Sequence, residues 1–317
     1  MSEQNIALPG LPDGVNVPRE EPASVAQPVA PSAATAPAVV ALTWLEILKW
    51  AVSFPAMLGM LLVGRVFYEG RGFHIDPDMW WHMKVGEDIL GTHHWPTVDI
   101  YSWTATGTPW IAYEWLGEIP LAVAYRLGGL LGLDFMLIAL SSIIMLAVYW
   151  HCSVRAGNSK AGFVSALFLA SLAFGNFSLR PQMFGFLFLV LTLLVLEKFR
   201  QGVSWPLWTL PPLFLLWVNV HGSFIIGIGV ITVYLLSGIC SFEKGSVKAV
   251  AWTRSQRIKL ETALLLSIAV LPITPYGTQL AVYPFDMAFS QPINIANISE
   301  WRPMPFEIIG GKIFLGF

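Results

Sequence analysis

Residues 132–152, GLDFMLIALSSIIMLAVYWHC, carry a single Asp, Glu, Lys or Arg side chain, Asp134. At 1.5 Å per residue such a run crosses the roughly 30 Å hydrocarbon core of a bilayer as one helix. Residues 182–199, QMFGFLFLVLTLLVLEKF, repeat the pattern and reach charge only at Glu197 and Lys198. Working outward from these two runs, comparable stretches lie near 45–67, 161–177, 205–220, 222–240 and 261–275. The 205–220 stretch holds Pro206, Pro211 and Pro212 and is therefore expected to be broken or tilted. The expected fold is all-α, a polytopic transmembrane helix bundle of about seven spans.

Composition agrees. Of 317 residues, 55% are hydrophobic and only 12% are charged, with a formal net charge of −2. A water-soluble fold needs more polar surface than this. The balance excludes a soluble enzyme, a secreted disulfide scaffold and a nucleic-acid binder with a basic face. Residues 1–42 are different in kind, rich in Pro, Ala, Ser and Val, and read as a disordered tail. Residues 43–317 form the transmembrane domain. Lys and Arg collect in one set of connections, with Arg155, Lys160, Lys198, Arg200, Lys244, Lys248, Arg254, Arg257 and Lys259. That set is expected to be cytoplasmic, and the N-terminal tail with it; beyond orientation nothing is assigned to these residues. Residues 306–317 read as the opening of an eighth span, so the chain is expected to be a piece of a longer protein.

The long connection 68–131 then lies on the outer side, with two amphipathic helices expected in it. One follows Asp76-Pro77-Asp78 to about Leu90, and the other runs from Glu114 to Arg126. Their tryptophans suit the headgroup layer, and membrane lipids are the first partner expected. Polar residues gathered on one face at membrane depth are functional candidates, because such groups are costly there unless paired or solvated. Asp76-Pro77-Asp78 has the D-x-D spacing of a divalent-cation site (Mg or Mn), but the same residues make an N-cap with Pro at the first helical position. Asp78 and His82 share a helix face, either for a metal or as a hydrogen-bonded pair. Glu114, flanked by Tyr113 and Trp115, is a candidate general acid or base or else a helix-start carboxylate. Arg180, ahead of Gln182, can bind an anion or reach lipid phosphate. Asn219 and His221 can bind substrate or close a hairpin, and Glu300 with Arg302 can act in a site or pair with each other. Tyr276 completes the outer group.

The stretch Asp76-Pro77-Asp78-Met79-Trp80-Trp81-His82, with Gly86, Ile89, Pro96, Asp99, Ser102, Thr104, Gly107, Pro109-Trp110 and Glu114-Trp115-Leu116, resembles a bacterial family of polytopic membrane proteins. Arg180-Pro181-Gln182, Asn219, His221-Gly222, Pro275-Tyr276-Gly277 and Glu300-Trp301 extend the likeness over roughly residues 45–305. That family in turn is similar to the GT-C glycosyltransferases, such as the protein O-mannosyltransferases and the aminoarabinose transferases of lipid A. The resemblance implies an enzyme of the bacterial inner (cytoplasmic) membrane. It would move a sugar from a polyprenyl-phosphate carrier to a protein, lipid or glycan acceptor on the extracytoplasmic side. It further implies Asp76 or Asp78 as the first-loop acid, Glu114 as a second acid, and Arg180 at the carrier phosphate. His82, Gln182, Asn219, His221, Tyr276, Glu300 and Arg302 are the associated substrate-binding candidates. Two other classes fit the composition: a non-catalytic subunit or scaffold of a larger assembly, and a lipid or solute transporter using the proline-broken 205–220 segment.

Overall fold

The computed structural model describes residues 43–70, 76–173, 177–245 and 247–291. Glu300 and Arg302, like the 1–42 tail and the stretch read as an eighth span, lie outside them. The described chain is mostly helical. It opens with α1 (Trp44–Ala51) and α2 (Phe54–Gly70), where the sequence predicts one span over 45–67. Pro55 explains the division. It has no N–H for the preceding turn, and Ser53 Oγ accepts the Ala56 N–H at 3.4 Å to start the second helix.

Helix α3 (Pro77–Thr92) is where the sequence predicts it, and His93 closes it in the left-handed conformation (φ 58°). Helix α4 (Trp115–Ala156) comprises two helical segments that meet at a kink, the expected loop helix and the following span. The join is at Gly129, whose φ of 57° and ψ of −139° are non-helical and open mainly to glycine. Helix α5 (Ser159–Ala173) follows a tight turn in which the Asn158 side chain caps the new helix by accepting the Lys160 N–H at 2.8 Å. Helix α6 spans Gln182–Arg200. The proline-rich segment breaks as expected, into a 3-10 turn over Trp205–Thr209 and α7 (Leu210–Val220).

Helix α8 (Phe224–Ser237) leads into a short antiparallel hairpin, β1 (Phe242–Lys244) and β2 (Val247–Ala249), which an all-α reading does not contain. Helix α9 (Arg254–Ala269) begins well before the expected 261, because Thr253 and Gln256 form a reciprocal capping box. Helix α10 spans Thr278–Ser290.

Two of these helices, α4 and α6, are long and apolar enough to cross a membrane, while residues 159–171 and α8 are apolar but shorter. The described residues from Leu45 onward form one unit built around α4. One core sets Leu62, Val66, Leu121, Met145 and Met183 between α2, α4 and α6. A second joins α6 to α7, α8 and α9 through Phe199, Phe214, Trp217, Phe224 and Leu260. Large apolar side chains such as Leu131, Phe135, Val164, Val233, Leu265 and Phe289 are left exposed. A surface this rich in uncovered apolar groups is what lipid would cover.

Candidate functional site

The buried stripe of α3 is Met79, His82, Val85, Gly86 and Ile89, repeating every three or four residues. His82 thus lies on the buried face and not with Lys84 and Glu87 on the polar one. Gly86 makes this possible: a Cβ there would collide with the carbonyl oxygen of Glu118, so glycine lets α3 lie directly on α4. Trp81 turns inward too, meeting Tyr101 and Trp110 edge-on with ring centroids 4.8 and 5.7 Å away. It therefore packs, half-buried, against the small core of Val85, Ile89 and Ala112.

At the start of α3, Asp76 is the N-cap: its Oδ1 accepts the Asp78 N–H at 3.0 Å, with Pro77 at the first helical position. The same carboxylate is gripped by Arg180 from just before α6, Nε to Oδ2 at 2.6 Å and Nη2 to Oδ1 at 2.8 Å. Arg180 Nη2 also lies 3.0 Å from Asp78 Oδ2. Burial alone would raise the Asp76 carboxyl, but the Arg180 hydrogen bonds and charge and the Asp78 N–H hold it below the usual carboxylate range. As they stand, these residues do not fit a cation, because both Asp76 oxygens already accept from the guanidinium. No group of three His, Cys, Asp or Glu among the described residues is arranged to hold a metal. Asp78 does not pair with His82.

His82 instead joins a buried chain of titratable groups. Its Nδ1 lies 3.0 Å from Glu118 Oε1, and its Nε2 lies 3.6 Å from Glu114 Oε2. On the other side of Glu114, Oε1 lies 3.3 Å from His221 Nε2. The His221 tautomer follows from its neighbours. Nδ1 accepts the Ser223 backbone N–H at 3.0 Å, so the ring proton sits on Nε2, facing Glu114. Ser223 Oγ in turn accepts the Trp217 indole N–H at 3.0 Å.

Electrostatics separate the members of the chain. Burial drives the Glu114 carboxyl up to about 7; the His82 charge opposes this and the Glu118 charge adds to it. His82 is disfavoured by burial yet rises, because the Glu118 hydrogen bond and the two carboxylates stabilise its charged form. His221, buried and repelled by His82, falls to about 4 and is neutral at pH 7. Its contact with Glu114 is therefore that of a neutral imidazole and not an ion pair. Burial also raises Glu118, against the pull of His82. The result is a carboxyl that shares its proton evenly with water near neutrality, flanked by one imidazole whose charged form is favoured and one that is neutral. Compared with known protein families, curated proteins and solved structures, this chain finds no match in any of the three.

Of the residues predicted from sequence, Asp76, Asp78 and Arg180 thus meet in one group, and His82, Glu114 and His221 in another. Glu114 stands at the N-cap of α4 but makes no side-chain capping hydrogen bond to it. Asn219 is committed elsewhere: it donates to the Leu215 and Ile273 carbonyls and accepts the Trp115 indole N–H at 2.9 Å, fixing the residue beside Glu114. Tyr276 is a clamp, its hydroxyl donating to the Pro96 carbonyl at 2.8 Å and accepting the Ala112 N–H at 3.3 Å. Gln182 is half-buried in the first turn of α6 and belongs to neither group. Sequence reasoning missed Glu118 and Ser223. The signal for Glu118 was its spacing, four residues after Glu114 and so on the same helix face.

Proposed function

We propose that this chain is a multi-pass membrane glycosyltransferase. It takes a sugar from a polyprenyl-phosphate carrier and transfers it to a protein, lipid or glycan acceptor. The reading that supports this best places about seven spans in a bacterial inner membrane, the N-terminus in the cytoplasm and the polar groups around α3 on the extracytoplasmic side. One observation carries it: Glu114 is a buried carboxyl poised near neutral pH between His82 and His221, within electrostatic reach of Arg180. General-base work asks for a group with this proton affinity.

In the proposed step the acceptor hydroxyl attacks the anomeric carbon and its proton passes to Glu114. The bond from that carbon to the phosphate oxygen breaks, and the electron pair leaves with the polyprenyl phosphate. Asp76 and Asp78 present two carboxylates to one guanidinium, so neither is as free as Glu114 to take a proton. Arg180 meets the carrier phosphate by exchanging its looser hold on Asp78, which is more than half exposed, while Asp76 keeps it oriented. No step runs through a divalent cation.

The test is mass spectrometry of lipids co-purifying with the intact protein, followed by a sugar-incorporation assay. Wild type is expected to carry polyprenyl phosphate or its glycosylated form. Arg180→Ala should lose that lipid, and Glu114→Gln should keep it and transfer nothing. A stoichiometric protein partner or pigment in place of the lipid would overturn the enzyme in favour of a scaffold. Lipid without incorporation, in wild type as in the variant, would overturn it in favour of a transporter.

A further inference from the structure

Glu118 touches neither Asp76 nor Arg180, and no role at the reacting atoms reaches it. It is nonetheless almost wholly buried, with a side chain 3% exposed. Its two oxygens are used unequally. Oε1 meets His82 Nδ1 at 3.0 Å, while Oε2 is buried with no hydrogen-bond partner among the described residues. The compensation for a charge on Glu118 therefore comes from His82 alone. The converse holds for the ring: with Nδ1 fixed by Glu118, Nε2 has only Glu114 to face, at 3.6 Å. Carboxylate, imidazole and carboxylate thus stand in line, and the nearer carboxylate is the tighter one. Gly86 fixes the arrangement by bringing the α3 backbone onto the Glu118 carbonyl.

We propose that Glu118 is a positioning residue that acts on Glu114 through His82, holding the ring as an imidazolium with Nε2–H turned toward Glu114. The functional meaning rests on Glu114 being the base of the proposed transfer, but the coupling itself does not require any substrate. Other groups also act on Glu114: Asp78 from α3, Arg180 ahead of α6 and His221 between α7 and α8, while Tyr113 from the loop and Tyr283 from α10 face it and feel its charge. Asp78 also acts on both Glu114 and His82 by charge, but Glu118 alone hydrogen-bonds the ring, and its two routes to Glu114 have opposite signs. Acting directly, its negative charge makes Glu114 harder to ionise, so removing it eases ionisation. Acting through His82, it sustains a positive charge beside Glu114, so removing it impedes ionisation.

The sign is measurable in the full chain in lipid nanodiscs, without donor or acceptor, by infrared titration of the protonated carboxyl band between pH 5 and 9. Glu114→Gln identifies the band by abolishing it. In Glu118→Gln the midpoint is expected to rise by about one pH unit, the imidazolium having lost its main partner. In a His82→Gln background the same substitution is expected to lower the midpoint, since only the direct route remains. Glu118→Asp, which keeps the charge, should return the midpoint toward wild type. A fall in both backgrounds, or no movement in either, overturns the relay. The His82→Gln pair keeps the comparison available should Glu118→Gln alone fold poorly. Because nothing is transferred in this experiment, its failure would leave the lipid and incorporation results standing, and their failure would leave it standing.

Discussion

Two buried carboxylate clusters lie near opposite ends of helix α6, and their compensation differs. At its C-terminal end Glu197, fully buried, is met by Arg200 through both oxygens at 2.9 and 2.7 Å and by Arg155 from α4 at 3.0 Å. Gln201 adds a further hydrogen bond at 3.2 Å. Two permanent cations thus surround one anion, and the outer faces of both reach solvent. Near the N-terminal end Glu114 is likewise enclosed but has histidines as its charge-bearing neighbours, one with its charged form favoured and one neutral. Arginine cannot surrender its charge in a protein, whereas imidazole can. The first cluster fixes helices, and the second leaves a proton mobile. A site for proton transfer is recognised here by incomplete compensation more than by burial.

The largest expected effect is at Glu114. Glu114→Gln should lower transfer by 10²–10⁴-fold, the usual contribution of a positioned base. It should also stabilise the protein at alkaline pH. The sign follows from the raised carboxyl: the folded state, with its proton affinity near 7, resists an ionisation that the unfolded chain completes near 4.5. Wild-type stability is therefore eroded as pH rises from about 4.5 to 7, by up to about 3 kcal/mol, and the loss is complete above 7. Unfolding of variant and wild type should coincide near pH 4.5 and diverge through this window, with the variant more stable. A constant difference across pH would mean that Glu114 is compensated after all.

Glu197→Gln is expected to do the reverse. It leaves Arg155 and Arg200 facing a neutral amide and should cost about 3 kcal/mol, reduced by the solvent access of both guanidinium groups. Any activity lost should be recovered on cooling or by lipid that restores the fold, because the cluster is far from Glu114. A loss of turnover in fully folded protein would break the distinction between the two ends of α6.

Asp76→Asn separates two roles that coincide in one side chain. Asparagine retains the N-cap, so α3 should keep its start, while the paired guanidinium loses its anion. The expected cost is about 1–3 kcal/mol at neutral pH. Because the Asp76 carboxyl is held low by Arg180, its stabilisation is present above the ordinary aspartate range and is lost as pH falls through the depressed value. Wild type and variant should therefore converge in acid, the opposite of the Glu114 pattern. Chemical unfolding at pH 3 and pH 7 measures it.

These contrasts also show what the linear sequence could reveal. The run 182–199 and the capped start of α3 were legible because hydropathy and capping are local. So was the break within 205–220, which proline chemistry fixes. The break between the two segments of α4 was legible too, falling at Gly129 beside Gly128. His82 reads as polar-face from its neighbours Lys84 and Glu87, and only the approach of α4 at Gly86 turns it inward. Arg155 and Arg200 read as orientation charges, and their shared anion is fixed by a contact across 42 residues of sequence. Site residues were recognisable by type, but their pairing depends on which helices touch.

The smallest expected effect tests whether a residue at the edge of the second cluster belongs to it. Tyr276, predicted from sequence to bind substrate, ties Pro96 to Ala112 through one hydroxyl while its ring packs on Val85, Ile89 and Ala112. Tyr276→Phe keeps the ring and leaves a carbonyl and an N–H without that partner. Neither bond is charge-assisted, so the cost should be about 1 kcal/mol. It should appear as faster amide exchange across the 96–112 segment, with the Glu114 titration midpoint unmoved. If that midpoint shifts with the clamp removed, the 93–114 segment is part of what holds Glu114 out of water. The boundary between the poised cluster and its scaffold would then lie further out than the hydrogen bonds draw it.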